Sequence, residues 1–404
     1  NFTATMVGME SNIADPGITI TAVRNYTNSA LTLTQNQLQV GNLLNKVSGV
    51  TTGDLGTVLS ALDSIPASNA NAVAGAYQQI SPDAAASLAN LGFTASAFFR
   101  QDLSERITSL RYAGPTGEIP AKFGAASPVN GWSFYADPQV FWGSQSSTAQ
   151  ESGYDFTMGG LTAGADYRVR DDLLVGVASG YGHTDAGLYN NLGKVQNDTV
   201  PVNLYAAYFP GCFYAFGSAG YATNLFSTNR QLVFGSIDRE AQSSTTGNQF
   251  NGYAEAGYDL KVGGAVISPM ASLAYSSLWI DGFGESGAGS LDLNVGSQHA
   301  DSLQLGPGVR LATTLQYGTA VVAPQFYASY EHEFSNDSRT IDASLAGLPL
   351  SFQTQRLGAD FGVIGGSITM FSGKNFSVRL DSNAEIGRSH YDSCMVDAGL
   401  HFRF

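Results

Sequence analysis

From Gly131 to the C-terminus the hydropathy of the chain alternates with period two, and this alternation restricts the fold more than any other feature. In the last segment Val396, Ala398, Leu400, Phe402 and Phe404 fall on one side, with Met395, Asp397, Gly399, His401 and Arg403 on the other. Phe376, Val378, Leu380, Ala384 and Ile386 separate in the same way from Ser377, Arg379, Asp381, Asn383 and Glu385. Leu303, Leu305, Val309 and Leu311 separate from Ser302, Gln304, Gly306 and Arg310. A helix cannot sort residues this way, so the segment is built of strands with one apolar and one polar face. A soluble sandwich also alternates, and alternation alone leaves it open.

Connection lengths separate the two folds. Short turns are expected near 170–172, 210–211, 261–264, 316–318 and 372–375, and longer polar connections near 143–153, 185–197, 228–244, 282–297 and 335–350. Turns on one rim and loops on the other are the pattern of an outer-membrane barrel, here of about twelve antiparallel strands. Tyr208, Phe209, Phe213, Tyr214, Phe334 and Phe404 sit where strand ends would place interfacial aromatic girdles. Composition agrees: charged residues are 13% of the chain against roughly 25% in soluble domains, and 47 of the 404 residues are glycine. Apolar runs of about 18 residues are absent, which excludes transmembrane helices. The net charge of −14 offers no basic footprint for nucleic acid. The two cysteines, Cys212 and Cys394, exclude a disulfide scaffold or a Cys-rich zinc site; strand counting puts them at opposite rims, as free thiols. No basic-then-apolar leader precedes Asn1, as expected of a chain whose address has been removed.

Residues 34–111 read differently. Leu38, Val40, Leu43 and Leu44, then Leu55, Val58, Leu59 and Leu62, recur at helical spacing. Ser81, Pro82 and Asp83 spell an N-cap, a first-turn proline and an acid at the positive end of the dipole. The helix they open can run to Arg111, with Gly92 as a point of interruption. Residues 112–130 hold three prolines and no period, and read as a linker. Residues 1–33, with ITITAVRNY as a strand, read as the tail of a β-rich domain.

YAEAGYDLKVGGAVISPMASLAY (253–275), DGFGESGAGSLDLNV (281–295) and the GPGVRL after them resemble the middle of the translocator barrel of bacterial autotransporters, the type V secretion family. GLTAGADYRVRDDLLVGVASGYGHTDA (160–186) is similar to its earlier strands and LHFRF to its last. QNQLQVGNLLNKV, LSALDSI and FFRQDLSERITSLR resemble the helical stretch that precedes the barrel. Pro307 departs from the pattern and predicts a bulge or irregular pairing. The resemblance implies a chain divided into a passenger tail (1–33), a helical segment (34–111), a linker (112–130) and a monomeric translocator barrel (131–404) in the bacterial outer membrane. It implies as partners the chain's own passenger, outer-membrane lipid and lipopolysaccharide, and the barrel assembly machinery, to which Leu400, Phe402 and Phe404 would present a C-terminal signal. Export of the passenger and its anchoring at the surface follow, with a helix filling the lumen afterwards. A stand-alone pore or surface adhesin, its helical region outside the lumen, is the alternative.

The residues themselves give the lumen candidates. Arg310, Arg356, Asp360, Arg379, Asp381, Glu385, Asp397 and Arg403 are expected to face inward. They can pair across neighbouring strands, or with Arg100, Asp102, Glu105 and Arg106 of the preceding helix. Enzyme-like signals do not hold together. Gly282, Gly284 and Gly287 spell G-x-G-x-x-G inside a hairpin loop instead of between a strand and a helix. Glu331, His332 and Glu333 alternate faces and cannot converge on a metal. His183 and Asp185 share a face but lack a nucleophile. The expectation is a barrel that is no enzyme and needs no cofactor or metal.

Overall fold

A computed structural model describes residues 2–9, 18–28, 31–66, 69–112, 131–317, 320–335, 337–372 and 376–403. Twelve long antiparallel strands form its main body: β1 (Trp132–Gln145), β2 (Tyr154–Arg170), β3 (Leu173–Leu188), β4 (Gly193–Tyr208), β5 (Phe213–Phe234), β6 (Ile237–Tyr258), β7 (Ala265–Ile280), β8 (Gln298–Thr313), β9 (Ala320–Glu333), β10 (Asp360–Ser372), β11 (Phe376–Ile386) and β12 (Tyr391–Arg403). Each pairs with the next, and β12 returns to β1 in a register running from Tyr391 opposite Gln145 to Arg403 opposite Ser133. The sheet is therefore closed, with no free edge.

Burial is inverted relative to a soluble protein. Along the strands Leu204, Phe326, Leu380 and Val202 are exposed, whereas Arg379, Asp137, Asn224 and Gln249 have no solvent access. Only hydrocarbon makes that arrangement favourable, because the apolar band then meets lipid and the polar groups meet one another inside. Connections of at most six residues follow β2, β4, β6, β8 and β10 on one rim, and the segments 146–153, 281–297 and 334–359 leave from the other. The first rim is periplasmic and the second extracellular.

Two connections expected to be long are not. Between β3 and β4 the strands run on to Leu188 and restart at Gly193, and the β5–β6 hairpin turns in two residues after Phe234. The polar residues of 228–244 belong to strands that stand clear of the lipid, where an outward polar face costs nothing. Pro307 keeps its place in the ladder to β7 but leaves a gap toward β9: Leu305 pairs with His332 and Gly308 with Ser329, without a shift of register. A missing N–H thus interrupts the bonding and no bulge forms.

Among the described residues ahead of the barrel are a hairpin (Phe2–Met9 with Ile18–Arg24) and four helices: α1 (Gln35–Lys46), α2 (Gly53–Asp63), α3 (Ala70–Ile80) and α4 (Asp83–Tyr112). Thr34 and Gln37 close a capping box on α1, and Asn69 caps α3. The apolar faces of α1–α3 share one core with the extracellular hairpins, where Val40, Leu44, Val58, Tyr77 and Ile80 meet Leu232, Leu293, Ile341, Leu345 and Phe352. Arg239 grips Asp54 of α2 with both terminal nitrogens, at 2.6 and 2.9 Å, and Arg230 bridges Glu285 and the carbonyl of Gln79. The linker was expected from residue 112, but Tyr112 closes α4, and residues 113–130 lie outside the described residues.

Candidate functional site: the barrel lumen and its helix

α4 is continuous over 30 residues, about 45 Å at 1.5 Å per residue, and runs the length of the barrel interior. Gly92 does not interrupt it. A Cβ there would lie 2.5 Å from Leu278 Cδ2, so the glycine allows the helix to touch the wall. Phe98 and Phe99, edge to face at 5.1 Å, fill spaces left by glycines in the opposing strands: Cβ atoms at Gly160 and Gly180 would each come within 2.8 Å of them. Ser81 does not act as the expected cap, because its hydroxyl donates to the carbonyl of Tyr77, at the end of α3. Asp83 anchors the start of α4 instead, accepting from the backbone N–H of Ser152 at 3.1 Å and from the side chain of Gln78.

The helix runs from the extracellular to the periplasmic rim. Near its start Asn90 donates to Gln145 (2.9 Å), which donates in turn to Glu151 (2.6 Å) in the 146–153 loop. Burial raises the Glu151 carboxyl to about 7, with the nearby Asp83 as the next cause. At the other end Arg111 pairs with Asp259 beside the periplasmic turn, its guanidinium 3.3 Å from the Tyr214 ring centre. Tyr214 and the half-buried Phe209 therefore face inward on this arginine, whereas Tyr208, Phe213 and Phe334 are exposed outward as girdle residues should be.

Between these ends a belt of ion pairs ties helix to wall. Arg379 of β11 reaches Asp102 of α4 (2.8 Å), Asp137 of β1 (3.2 Å) and Asp397 of β12 (2.7 Å), all without solvent access. The three carboxylates are close enough together to hold a cation, and the guanidinium already serves as that cation. Arg310 of β8 meets Glu105 at 3.0 Å and Gln325 at 3.3 Å. In the opposite sense Arg106 of α4 meets Asp166 of β2 through Nε (3.2 Å) and Nη2 (2.5 Å), and Ser133 at 3.0 Å. Arg100 donates to Gln304 at 3.2 Å.

Of the residues expected to line the lumen, Arg310, Arg379, Asp381, Glu385 and Asp397 point inward. Arg356 and Asp360 do not. Arg356 lies in the extracellular segment beside Asp337 at 3.8 Å, with both side chains exposed. Asp360, the first residue of β10, points outward to His332, 2.7 Å away. The side chain of Arg403 and residue Phe404 lie outside the described residues, while Leu400 and Phe402 are exposed on the lipid face. All four helix candidates, Arg100, Asp102, Glu105 and Arg106, meet the wall. Sequence reasoning missed Asp137, Asp166 and Asp259, although the parity of β1 and β2 would have put the first two inward. Cys212 in a periplasmic turn and Cys394 near the extracellular end of β12 are free. His332 parts from Glu331 and Glu333, and His183 bonds Asp198 and Asp185 on the outer surface.

Known proteins share this architecture. The translocator domain of the autotransporter NalP from Neisseria meningitidis superposes with a TM-score of 0.58 over 77% of this chain and 98% of its own, at 17% identity, a likeness of fold. Outer membrane protein A of Rickettsia rickettsii is 26% identical over 291 residues, 68% of this chain, and an extracellular serine protease of Serratia marcescens is 25% identical over 335 residues, 81% of it. The chain spans only 12% and 31% of the lengths of those two relatives. The autotransporter beta-domain family matches residues 134–383. This chain belongs to that family, as a twelve-stranded barrel of the bacterial outer membrane.

Proposed function

We propose that the barrel carries the chain N-terminal to it across the outer membrane and holds it at the cell surface, α4 remaining in the lumen as a plug. The polarity of α4 carries the reading. Its first residue meets the long-loop rim and its last the short-turn rim, so the described residues ahead of Asp83 lie outside the cell while β1 begins at the periplasmic rim. A chain threaded in this direction has crossed the membrane, and a polar lumen removes the cost of carrying its backbone through hydrocarbon. The partners are the chain's own passenger, the lipid and lipopolysaccharide around the barrel, and the machinery that inserts barrels, which reads the exposed Leu400 and Phe402 of β12. The barrel works as a monomer, and the catalysis or adhesion belongs to the passenger.

Planar bilayers test the plug. The intact chain should conduct weakly, and deletion of residues 83–112 should raise the unit conductance at least tenfold. Equal conductances would instead favour a stand-alone pore with its helical region outside the lumen.

A further inference from the structure

α4 does not fill the lumen evenly. It lies against the wall from β2 to β8, and beside it, bounded by β6–β12 and by Phe141 of β1, remain two cavities of about 100 and 90 Å³. Ala97, Arg100, Phe141, Gln304 and Glu385 line both, so the two are consecutive parts of one space. The outer part reaches Asp337, Arg339 and Gln355 of the extracellular segment. The inner part ends at Ser104, Arg310 and Tyr327, where the belt of ion pairs begins. A space of this size holds several waters.

Its lining favours positive charge. Glu255 accepts from Tyr214 (2.9 Å) and Tyr253 (3.0 Å), and Glu331 accepts from Ser329 (2.7 Å). Arg310 is committed to Glu105 and Arg388 to Glu385, at 3.0 and 3.2 Å. That leaves Arg100, facing both Glu255 and Glu331, and Arg339 in the outer part, which Glu333 and Asp337 also line. Independently, Gln355 is 6% exposed, lines the outer part, and has no partner for either amide atom. A buried amide in that state belongs against a solvent or ligand molecule.

We infer that α4 leaves beside it a blind, hydrated vestibule, open to the exterior and closed toward the periplasm, that takes up small cations such as alkali ions and organic ammonium groups. The inference rests on the reading that α4 stays in the lumen. Carboxylates and amide oxygens along a narrow wet path select for cations in the way acidic rings do in channels.

Thiol access tests it in intact cells. In a Cys212→Ser, Cys394→Ser background, Ala97→Cys places a thiol in the vestibule and Ile107→Cys places one below the belt. Methanethiosulfonates carrying trimethylammonium or sulfonate are applied from outside, after heat-modifiable migration has verified that each variant folds. Thr94→Cys, on the same cavity, replaces Ala97→Cys if the latter does not fold. The expected result is labelling of Ala97→Cys at least tenfold faster by the cationic reagent, a preference reduced by Glu331→Gln, with Ile107→Cys unlabelled. Folded protein with an unlabelled Ala97→Cys, or with equal rates for the two reagents, overturns the inference. Labelling at both depths shows that α4 has left the lumen, and the plug reading fails with it.

Discussion

Glu105, in the second half of α4, and Arg310, on the inner face of β8, lie 3.0 Å apart with almost no solvent access to either. Their partnership fixes the rotation of the helix against the wall, since Gln325 hydrogen-bonds both. Removing one member of such a buried pair strands the other and costs about 3–5 kcal/mol, whereas replacing both with apolar groups costs far less. Arg310→Ala should therefore lower hydrogen-exchange protection of α4 in detergent by two orders of magnitude or more, at about 1.4 kcal/mol per tenfold. Arg310→Met combined with Glu105→Leu should restore most of it. Equal losses in the single and double variants would show that the pair does not hold the helix.

Gly92 sets how closely α4 approaches the wall. Gly92→Leu drives a side chain into Leu278, whose Cδ2 already lies 2.5 Å from where a Cβ would be. The barrel should still fold, since its strand ladder is untouched, but the helix should be displaced and the unit conductance in planar bilayers should rise several-fold. Conductance equal to the parent would place this contact outside the seal.

The extracellular mouth should respond to pH through Glu151. Its neighbours are Asp83 of α4, Gln145 of β1, and Arg339 and the backbone of Gln355 in the 334–359 segment. Its carboxyl is raised from 4.5 to about 7 by burial, so between those values the folded state binds more protons than the unfolded. Stability then falls as pH rises from about 4.5 to 7, by up to about 3 kcal/mol, and stays at the lower level above that range. Proteolysis of the 146–153 loop should be slower at pH 5 than at pH 8, and Glu151→Gln should reduce the difference to the share of Asp83, whose carboxyl burial raises to about 6. An unchanged pH profile in that variant would assign the effect elsewhere.

Leu400 lies on the lipid face of β12, opposite Val378 of β11. Leu400→Arg puts a charge in the apolar band at a cost of about 2–4 kcal/mol near the midplane, less toward the rim. The heat-modifiable fraction in outer membranes should fall, while Asp392→Arg, on the same face but beyond the lipid, should leave it unchanged. Equal yields would deny Leu400 a place in the apolar band.

The sequence made the faces of β8, β11 and β12 legible because period two is a local property. It did not say where a strand leaves the lipid. Arg356 and Asp360 were expected inside for that reason, and Tyr214 on the girdle although its parity with Phe213 turns it inward. The extended β5–β6 hairpin read as a loop because its outer face turns polar once it clears the membrane. Helix α4 was legible from Pro82, Asp83 and its composition, although Ser81 does not cap it. The glycines that receive Phe98 and Phe99, and the aspartates that receive Arg106 and Arg111, come from distant strands, and no local pattern announces such meetings. The core shared by α1–α3 and the extracellular hairpins was hidden for the same reason.

The direction of the thread is the central claim, and a tag placed ahead of Asn1 tests it directly in intact cells. The account predicts that external protease removes the tag while residues 83–112 stay protected inside the barrel. A tag reached only after the outer membrane is opened would put the N-terminal region in the periplasm and contradict the account.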